Sequence, residues 1–277
     1  MYDNKVGCCL GSYGKFSLTR ALEGTASSGV KYVEAHAVQV PGAHFKPESM
    51  TETEMKEARR LIASYGLTPL SVAGHCDLIT AEGMQMLRSR VDFALALEAP
   101  IVNAATLRDF TCEADREQFI ANFIGLKSYI APRGVTVALE THGDITGKAD
   151  IFTETLKRID SDFVKMNYDP ANIVYYDGVE PEDDIVGLTG HIAHMHLKDM
   201  HGGKGDYDFP AFGEGRLDYP FILRHVLEHG YKGPFCFEIE FTTTGASSPE
   251  QVDEALIKSL ENYNGIISAI RENRHAR

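Results

Sequence analysis

The feature that most constrains the fold of this chain is a regular alternation of strand-like and helix-like segments from end to end. Eight short runs have the length and composition of strands, and segments with helical periodicity separate them. The strand-like runs are KVGCCLG, KYVEAH, TPLSVAGH, APIVNA, GVTVALE, DFVKMNYD, HIAHMHL and PFCFEIEF. Eight βα units without a Pro/Gly-rich linker or a break in composition predict one domain over residues 1–277, built as a closed barrel or an open doubly wound sheet.

The helical segments carry their own start signals. The clearest patterns cover 51–65, 80–98, 114–131, 150–160, 219–229 and about 249 to 271. Thr51 with Glu54 fits a capping box, in which each side chain bonds the backbone amide of the other residue. Ser248 with Gln251 fits the same motif, and Pro249 suits the first position of the final helix.

The two faces of the strand-like runs decide between the two architectures. In an open parallel sheet helices cover both faces, so its strands are apolar throughout. In the seventh run, however, Met195 and Leu197 oppose His194 and His196, and in the fifth run Glu140 lies opposite an apolar face. One face therefore packs on helices while the other meets something polar. This pattern predicts an α/β fold, a single (β/α)8 TIM barrel with its active site at the C-terminal mouth of the strands.

Composition excludes several classes of protein. The net charge of −13, with no basic stripe along the chain, argues against a nucleic-acid partner. No apolar run is long enough to cross a bilayer, and the start MYDNKVGCCL lacks the pattern of a secretion signal, so we expect no membrane partner. Five scattered cysteines without a CxxC pair do not suggest a disulfide framework. These features predict a cytoplasmic protein.

Ionisable residues end four successive strands on the inward face. They are Glu140, Asp169, His196 and Glu238. Because neighbouring strands end at the same height in a barrel, their side chains should converge. Three carboxylates without a counter-charge would repel one another, whereas a divalent cation allows all of them to stay ionised. Three oxygen ligands and one imidazole suit Mn²⁺, Mg²⁺ or Co²⁺, since zinc sites more often use additional His or Cys.

Other residues of these strands have less specific interpretations. Any one of the four ligand candidates, taken alone, is more simply a solvated residue of the barrel rim. His194 lies one inward position deeper than His196, which favours a hydrogen-bonded interior histidine over a ligand. His191 is expected to end the preceding helix. Glu240 shares the inward face with Glu238 but lies beyond the strand end, so we expect it to orient the ligands or to meet solvent.

Five sequence blocks carry a resemblance to a known family. The blocks ALETHG, NYDPAN, HMHLKD, FGEGRLDY and GYKGPFCFEIE, each near a strand end, resemble those of the xylose-isomerase-like superfamily of TIM barrels. This superfamily includes sugar isomerases and epimerases of the D-tagatose 3-epimerase type. The resemblance implies that Glu140, Asp169, His196 and Glu238 bind one divalent metal ion, often Mn²⁺. It also implies that Glu140 and Glu238 are the catalytic acid/base pair.

The implied reaction is chemically consistent with these residue types. A metal ion that holds the carbonyl and hydroxyl oxygens of a keto-sugar stabilises the enediolate formed when a proton leaves the adjacent carbon. Two carboxylates on opposite sides of the substrate can then remove the proton from one face and return it to the other.

The sequence departs from the family pattern at one position of the expected substrate pocket. The related epimerases tend to have histidine three residues after the metal-binding aspartate, where this chain has Asn172. The candidate substrate-binding residues are His75, Asn103, His142, Asn172 and Lys198. His75 and His142 are equally well explained as partners of a ligating carboxylate. Lys198 either neutralises substrate charge or pairs with Asp199. Glu34 and His36 either line the pocket or form a salt bridge at its rim.

One connection is unusually long. Residues 199–216 are rich in glycine and begin directly after the seventh strand-like run, so we expect a mobile lid over the mouth. On this interpretation Lys204 and Arg216 approach the substrate. The alternative is an ordinary surface insertion.

These observations lead to one preferred function and three alternatives. The preferred function is a metal-dependent isomerase or epimerase of a ketose or a sugar derivative, with a small-molecule sugar as its partner. A lyase, dehydratase or keto-glycoside-cleaving enzyme shares the same first proton abstraction. An apurinic-site endonuclease of the same superfamily is disfavoured, because Asn172 replaces a histidine ligand of those enzymes and the loop 199–216 lacks their Asp-Arg-His block. A sugar-binding barrel without catalysis is the last alternative, and assembly into a homo-oligomer stays open.

Overall fold

Eight parallel strands close into a barrel with helices on its outside, in a computed structural model that describes residues 2–275. The barrel strands are β1 (Val6–Cys9), β2 (Tyr32–His36), β3 (Thr68–Ala73), β4 (Ile101–Ala104), β5 (Thr136–Glu140), β6 (Val164–Tyr168), β7 (Ile192–Leu197) and β9 (Phe235–Phe237). Two short strands, β8 (Asp208–Phe209) and β10 (Phe241–Thr242), form a separate antiparallel pair. Each barrel strand pairs with the next, and β9 pairs with both β7 and β1. The predicted (β/α)8 barrel is confirmed.

The helices follow the strands in the order expected of this fold. They are α1 (Leu18–Ser27), α2 (Glu52–Ser64), α3 (Ala81–Leu97), α4 (Glu113–Ile130), α5 (Ala149–Ile159), α6 (Pro170–Asn172), α7 (Pro181–Asp184), α8 (Tyr219–Glu228) and α9 (Pro249–His275). A π-helical turn over Ile173–Asp177 continues from α6, and His191 ends a 3₁₀ turn before β7. Within the described residues no helix is both long and apolar enough to cross a membrane.

One predicted capping box is present in full and the other is shifted. At α2 the Thr51 hydroxyl accepts from the Glu54 amide at 3.3 Å, and the Glu54 carboxylate accepts from the Thr51 amide at 2.7 Å. At α9 the Ser248 hydroxyl accepts from the Gln251 amide at 3.3 Å. The Gln251 side chain, however, accepts from the Ser247 amide at 2.7 Å. The return bond therefore reaches one residue further back than the motif predicts.

The eighth barrel strand is shorter than its sequence pattern suggests. β9 ends at Phe237, and the Ile239 amide then donates to the Ser12 hydroxyl at 2.9 Å. Phe241 has a φ of 61°, a left-handed conformation that turns the chain toward β8. Glu238 and Glu240 therefore both lie on a segment that crosses the mouth of the barrel.

The two faces of the strands differ as predicted. The outer layer between strands and helices is apolar and fully buried, as for Val137, Leu139 and Phe152. Burying one such side chain stabilises the fold by about 1.5–3 kcal/mol. The inward face instead carries buried polar residues, which include Glu34, Ser71, Asn103, Asn167 and His194. The barrel interior is thus a hydrogen-bonded platform beneath the mouth.

The long loop 199–216 is fastened at both ends by one carboxylate. Asp199 accepts hydrogen bonds from the amides of Met200 at 2.8 Å, Gly213 at 3.0 Å, Gly215 at 3.0 Å and Leu217 at 3.3 Å. Because these four donors lie at the start and the end of the loop, Asp199 brings its two ends together. Asp199 does not pair with Lys198, which was one of the two interpretations of that lysine.

The two basic residues of this loop do not reach the mouth. Arg216 pairs with Glu180 at 2.9 Å and donates to the carbonyl of Gly202 at 2.8 Å. The side chain of Lys204 lies beside Gly178. Neither Lys204 nor Arg216 lines the cavity at the mouth, and their approach to a bound substrate stays a prediction. The loop contributes Tyr207 and Phe209 to the cavity at the mouth instead.

Candidate metal and active site

The four predicted ligands converge at the mouth of the barrel. One ligand atom from each of Glu140, Asp169, His196 and Glu238 lies within 4.8 Å of the others. The His196 Nδ1 atom is 3.2 Å from Glu238 Oε2, 3.5 Å from Glu140 Oε2 and 3.9 Å from Asp169 Oδ2. All four residues are buried. This arrangement has the donor types and the spacing of a divalent-metal site.

Two carboxylate oxygens in this cluster support that assignment. Asp169 Oδ2 and Glu238 Oε2 are buried and accept no hydrogen bond within the described part of the chain. Lys198 Nζ lies 3.0 Å from Glu238 Oε2 and 3.7 Å from Asp169 Oδ2, which makes ion pairs without hydrogen-bond geometry. Buried polar atoms are rarely left without a partner. A divalent cation between these oxygens would give both of them one.

Glu34 orients the imidazole of His196 from the interior of the barrel. Its Nε2 atom lies 2.9 Å from Glu34 Oε1, so the Nδ1 atom faces the carboxylate cluster. Burial alone would lower the pKa of His196, but Glu238, Glu34 and Glu140 together raise it well above its usual value. Burial also raises the pKa of Asp169 to about 7, against the opposing effect of Lys198. The cluster therefore favours additional positive charge, supplied either by protons or by a metal ion.

Glu140 is held in place by several side chains. Asn172 donates from Nδ2 to Glu140 Oε1 at 2.7 Å, and Asn167 donates to Oε2 at 3.3 Å. His75 Nε2 lies 3.3 Å from the same Oε2 atom. The Ala105 amide donates to His75 Nδ1 at 2.7 Å, so a neutral His75 carries its proton on the nitrogen that faces Glu140. Asn172, where the related epimerases tend to have histidine, thus fixes a carboxylate and is itself in the cavity wall.

Lys198 is a buried cation between two carboxylates. Its Nζ atom lies 2.7 Å from Glu240 Oε2 and 3.0 Å from Glu238 Oε2, and it sits 4.9 Å from the centre of the Phe209 ring. Burial would lower the pKa of Lys198, but Glu238 and Glu240 raise it well above its usual value. Lys198 therefore presents a fixed positive charge to the cavity that it lines.

A cavity of about 320 Å³ opens above the cluster. Of the predicted substrate-binding residues, it is lined by His75, His142, Asn172 and Lys198. Asn103 lies elsewhere. It is fully buried beneath the ligands, donates to Glu34, and has Nδ2 3.4 Å from His196 Nε2. Asn103 belongs to the platform that supports His196 and does not line the cavity.

The interior histidine lies where the pattern placed it. His194 is fully buried, with Nδ1 2.9 Å from Asn167 Oδ1 and Nε2 3.1 Å from Ser71 Oγ. Glu34, His194 and His196 also lie close enough together to hold an ion. The polar atoms of these three side chains already contact one another or neighbouring polar side chains. We therefore interpret this group as a hydrogen-bonded platform.

Sequence reasoning missed the aromatic side of the cavity. Tyr175, Tyr176, Tyr207 and Phe209 line it. The Tyr176 hydroxyl lies 2.8 Å from His142 Nε2, and the two rings lie 4.3 Å apart between centres. Tyr175 and Tyr176 belong to the π-helical turn after β6, a conformation that is common at functional sites. The available signal would have been Tyr175 and Tyr176, two adjacent tyrosines three and four residues beyond the end of the NYDPAN block.

Comparison with known protein sequences gives distant relatives. The chain is 28% identical over 178 residues to the protein y4fM of Sinorhizobium fredii, which covers 59% of this chain and only 55% of that protein. It is 24% identical over 198 residues to the L-ribulose-5-phosphate 3-epimerase UlaE of Escherichia coli O17:K52:H18, covering 69% of this chain and 67% of that enzyme. The chain thus spans little more than half of y4fM and about two thirds of UlaE.

Solved structures cover the chain more completely. A xylose isomerase domain protein of Planctomyces limnophilus matches with a TM-score of 0.77 at 19% identity, over 98% of each chain. A xylose isomerase-like TIM barrel protein of Mycobacterium smegmatis, in complex with magnesium, gives 0.74 at 19% identity, over 95% of this chain and 98% of that one. The probable 3-DHS dehydratase AsbF of Bacillus anthracis gives 0.71 at 18% identity, over 93% and 99%.

The family assignment follows from a match across most of the chain. Because these solved structures are only 18–19% identical to this chain, their similarity shows a common fold. The model of one family, described as the xylose isomerase-like TIM barrel, matches residues 22–263. The sequence blocks, the closed barrel and this match agree, and the chain belongs to the xylose isomerase-like TIM barrel family.

Proposed function

We propose that the protein is a divalent-metal-dependent isomerase or epimerase of a ketose or a sugar derivative. The observation that carries the proposal is the convergence of two carboxylates, from Glu140 and Glu238, on the floor of one cavity beside His196 Nδ1. The Escherichia coli relative UlaE is named as a sugar-phosphate epimerase, which supports the same class of substrate. Proton transfer beside a carbonyl needs positioned bases and a stabilised oxyanion.

In this proposal Glu140, Asp169, His196 and Glu238 hold the metal ion. A bound divalent ion polarises a carbonyl and stabilises negative charge on its oxygen. Three carboxylates and one imidazole favour Mn²⁺, with Mg²⁺ and Co²⁺ as alternatives. The magnesium complex of the Mycobacterium smegmatis protein supports a site for a hard cation in this fold.

Glu140 and Glu238 are assigned the proton transfers. Although burial opposes their ionisation, His196 lowers the pKa of both carboxyl groups, with Lys198 also acting on Glu238. Both are therefore anionic near neutral pH, the state that a base requires. Asn172 and His75 hold Glu140 in one orientation, while Lys198 holds Glu238, so neither carboxylate must reorganise before it accepts a proton.

Neighbouring residues are assigned to substrate binding. His142, Asn172 and Lys198 offer hydrogen-bonding groups to hydroxyls, and the aromatic side of the cavity limits the access of water. Burial lowers the pKa of His142 to about 4, so this imidazole is neutral and offers both a donor and an acceptor.

The test is hydrogen exchange on a panel of ketoses. The metal-free protein is reloaded with Mn²⁺ and incubated with each ketose in deuterated water, and products are followed by NMR. We expect epimer or isomer formation with deuterium beside the carbonyl and no release of water or of a leaving group. Loss of activity on chelation, restored by Mn²⁺, is the matched control. Full metal occupancy without exchange on any ketose would contradict the proposal.

A lyase or dehydratase is the second candidate, since its first step is the same proton abstraction. The fold neighbour AsbF is described as a probable dehydratase. Within this chain the specific feature in its favour is Lys198, a buried cation beside Glu238 that could assist departure of a leaving group. Release of water or of an alcohol in the same NMR experiment would favour this candidate over the first.

A further inference from the structure

The cavity above the ligand cluster adjoins a second cavity that the proposed function does not use. The second cavity has a volume of about 470 Å³ and extends over the loops that follow β1 and β9. The two cavities share Gly11, His36, Val40, Tyr207 and Glu240 in their walls. A molecule that extends past these shared residues would have one end above the ligands and the other end over these loops.

The walls of the second cavity suit a neutral, hydroxyl-rich group. Beyond the shared wall it is lined by Lys15 and Phe16 from one side, and by Thr242, Thr243 and Thr244 from the other. Hydroxyl groups and an ammonium bond sugar hydroxyls, and an aromatic ring packs on the apolar face of a sugar.

The charges in this wall argue against an anionic group. Among the described residues, Lys15 is the only Lys or Arg in this wall and Glu240 is its only Asp or Glu. Lys15 has no carboxylate within 4 Å in the described part of the chain, while Glu240 is engaged by Lys198 at 2.7 Å. A phosphate dianion there would meet one ammonium and one carboxylate, whereas phosphate sites collect several cationic or amide donors.

An unpartnered imidazole stands where the two cavities meet. His36 is only 8% exposed, yet its buried Nδ1 atom has no hydrogen-bond partner among residues 2–275. Burial lowers the pKa of His36 to about 4, so the ring is neutral and has one donor and one acceptor nitrogen. Gly11 leaves room beside it, because a Cβ there would lie 3.3 Å from His36 Cδ2. A buried imidazole nitrogen without a partner points to a ligand that satisfies the ring.

We propose that the natural substrate is a keto-sugar that carries a second, neutral glycosyl unit. The reacting ring occupies the cavity above the ligand cluster, the second ring occupies the cavity lined by Phe16 and Thr244, and His36 bonds the substrate at the junction. The position of the reacting ring rests on the proposed function. The position of the second ring rests on the size and chemistry of the second cavity.

The test compares three probes that differ at one position of the same ketose. They are fructose, fructose 6-phosphate and 6-O-α-glucosyl-fructose. Dissociation constants for the Mn²⁺-loaded protein are measured by calorimetry, and hydrogen exchange is measured separately by NMR. We expect the glucosyl probe to bind at least about tenfold more tightly than fructose, a ratio that corresponds to one or two good contacts in the second cavity.

Two tryptophan variants locate the effect. Thr244→Trp fills the second cavity and should reduce the preference for the glucosyl probe to about one. Ser268→Trp, at an exposed serine on α9, is the matched control and should keep the preference. Burial of Thr244 is not required for folding, since its side chain is exposed.

The outcomes separate this inference from the function on which it rests. A glucosyl probe that binds no more tightly than fructose overturns the second subsite, whatever the turnover. If fructose 6-phosphate binds most tightly of the three probes, the proposal that the second subsite takes a neutral group is overturned. Preferential binding that Thr244→Trp abolishes supports the subsite. If that binding comes without any hydrogen exchange, it is the proposed isomerase or epimerase activity that fails.

Discussion

Glu34 gives the sharpest prediction, because it touches no substrate and yet should control metal binding. Its carboxylate is fully buried and lies 2.9 Å from His196 Nε2. Ser71 donates to the other carboxylate oxygen at 2.7 Å, and Asn103 donates to it as well. Burial opposes the charge, but His196 and the hydrogen bonds lower the pKa of Glu34 to about 2. Glu34 is therefore an anion that holds the Nε2 proton of His196 and leaves Nδ1 free for a metal ion.

Glu34→Gln tests this role with nearly the same shape. The amide oxygen can still accept from His196, but the charge is lost, and the new amide group must face the donors of Ser71 or Asn103. A hydrogen bond to a charged group contributes about 1.5–3 kcal/mol, against about 0.5–1.5 kcal/mol for a neutral one. A loss of about 1–2 kcal/mol in metal binding corresponds to a dissociation constant for Mn²⁺ that rises by about 5- to 30-fold.

The assay is titration of the metal-free protein with Mn²⁺, with free ion followed by electron paramagnetic resonance. Glu54→Gln, at the exposed capping box of α2, is the control for a generic loss of charge and should bind Mn²⁺ as the parent does. Thermal unfolding of the metal-free proteins separates a folding defect from a binding defect. Ser71→Ala, which keeps the charge of Glu34, should have a smaller effect. If Glu34→Gln binds within twofold of the parent, the orienting role is refuted.

Three further predictions concern the cluster and its surroundings. His194→Ala should lower the free energy of unfolding by about 1–3 kcal/mol, because the buried Oδ1 atom of Asn167 loses its partner. It should change Mn²⁺ affinity little, and an equal loss of metal would make His194 a ligand. Glu140→Gln and Glu238→Gln, each reloaded with Mn²⁺, should lose turnover at least about 100-fold, and near-native turnover in both would remove them as the proton-transfer pair. Because the Asp169 pKa is raised to about 7 and a protonated carboxyl does not ligate, Mn²⁺ affinity should fall by up to about tenfold per pH unit as pH drops below 7; affinity independent of pH between 5 and 7 would contradict this.

Much of the architecture could be predicted because it depends on local patterns. The alternation around Glu140 and His196 identified inward faces, and residues at equal heights on neighbouring strands must converge once the barrel closes. The depth of a residue is also a matter of counting, which placed His194 correctly in the interior. The metal roles of these residues stay predictions.

The remaining features depend on contacts between segments far apart in the chain. Asn103 donates a hydrogen bond to Glu34, which lies 69 residues earlier in the chain, and no sequence pattern near either residue predicts this bond. Lys198 next to Asp199 invited a local pair, whereas the fold brings Glu238 and Glu240 to the lysine. The path of loop 199–216, and so the direction of its basic residues, likewise depends on tertiary contacts.

The four hydrogen bonds that Asp199 accepts from backbone amides bear on which sequence changes this barrel can tolerate. Because one side chain closes both ends of the loop, the segment between Met200 and Gly213 is separated mechanically from β7, the strand that carries His196. Insertions, deletions or grafts that keep the pairing of Phe209 with Phe241 should therefore leave His196 in place while they alter the wall at Tyr207. Sequence changes in this loop should therefore alter the cavity wall more readily than they alter the position of His196.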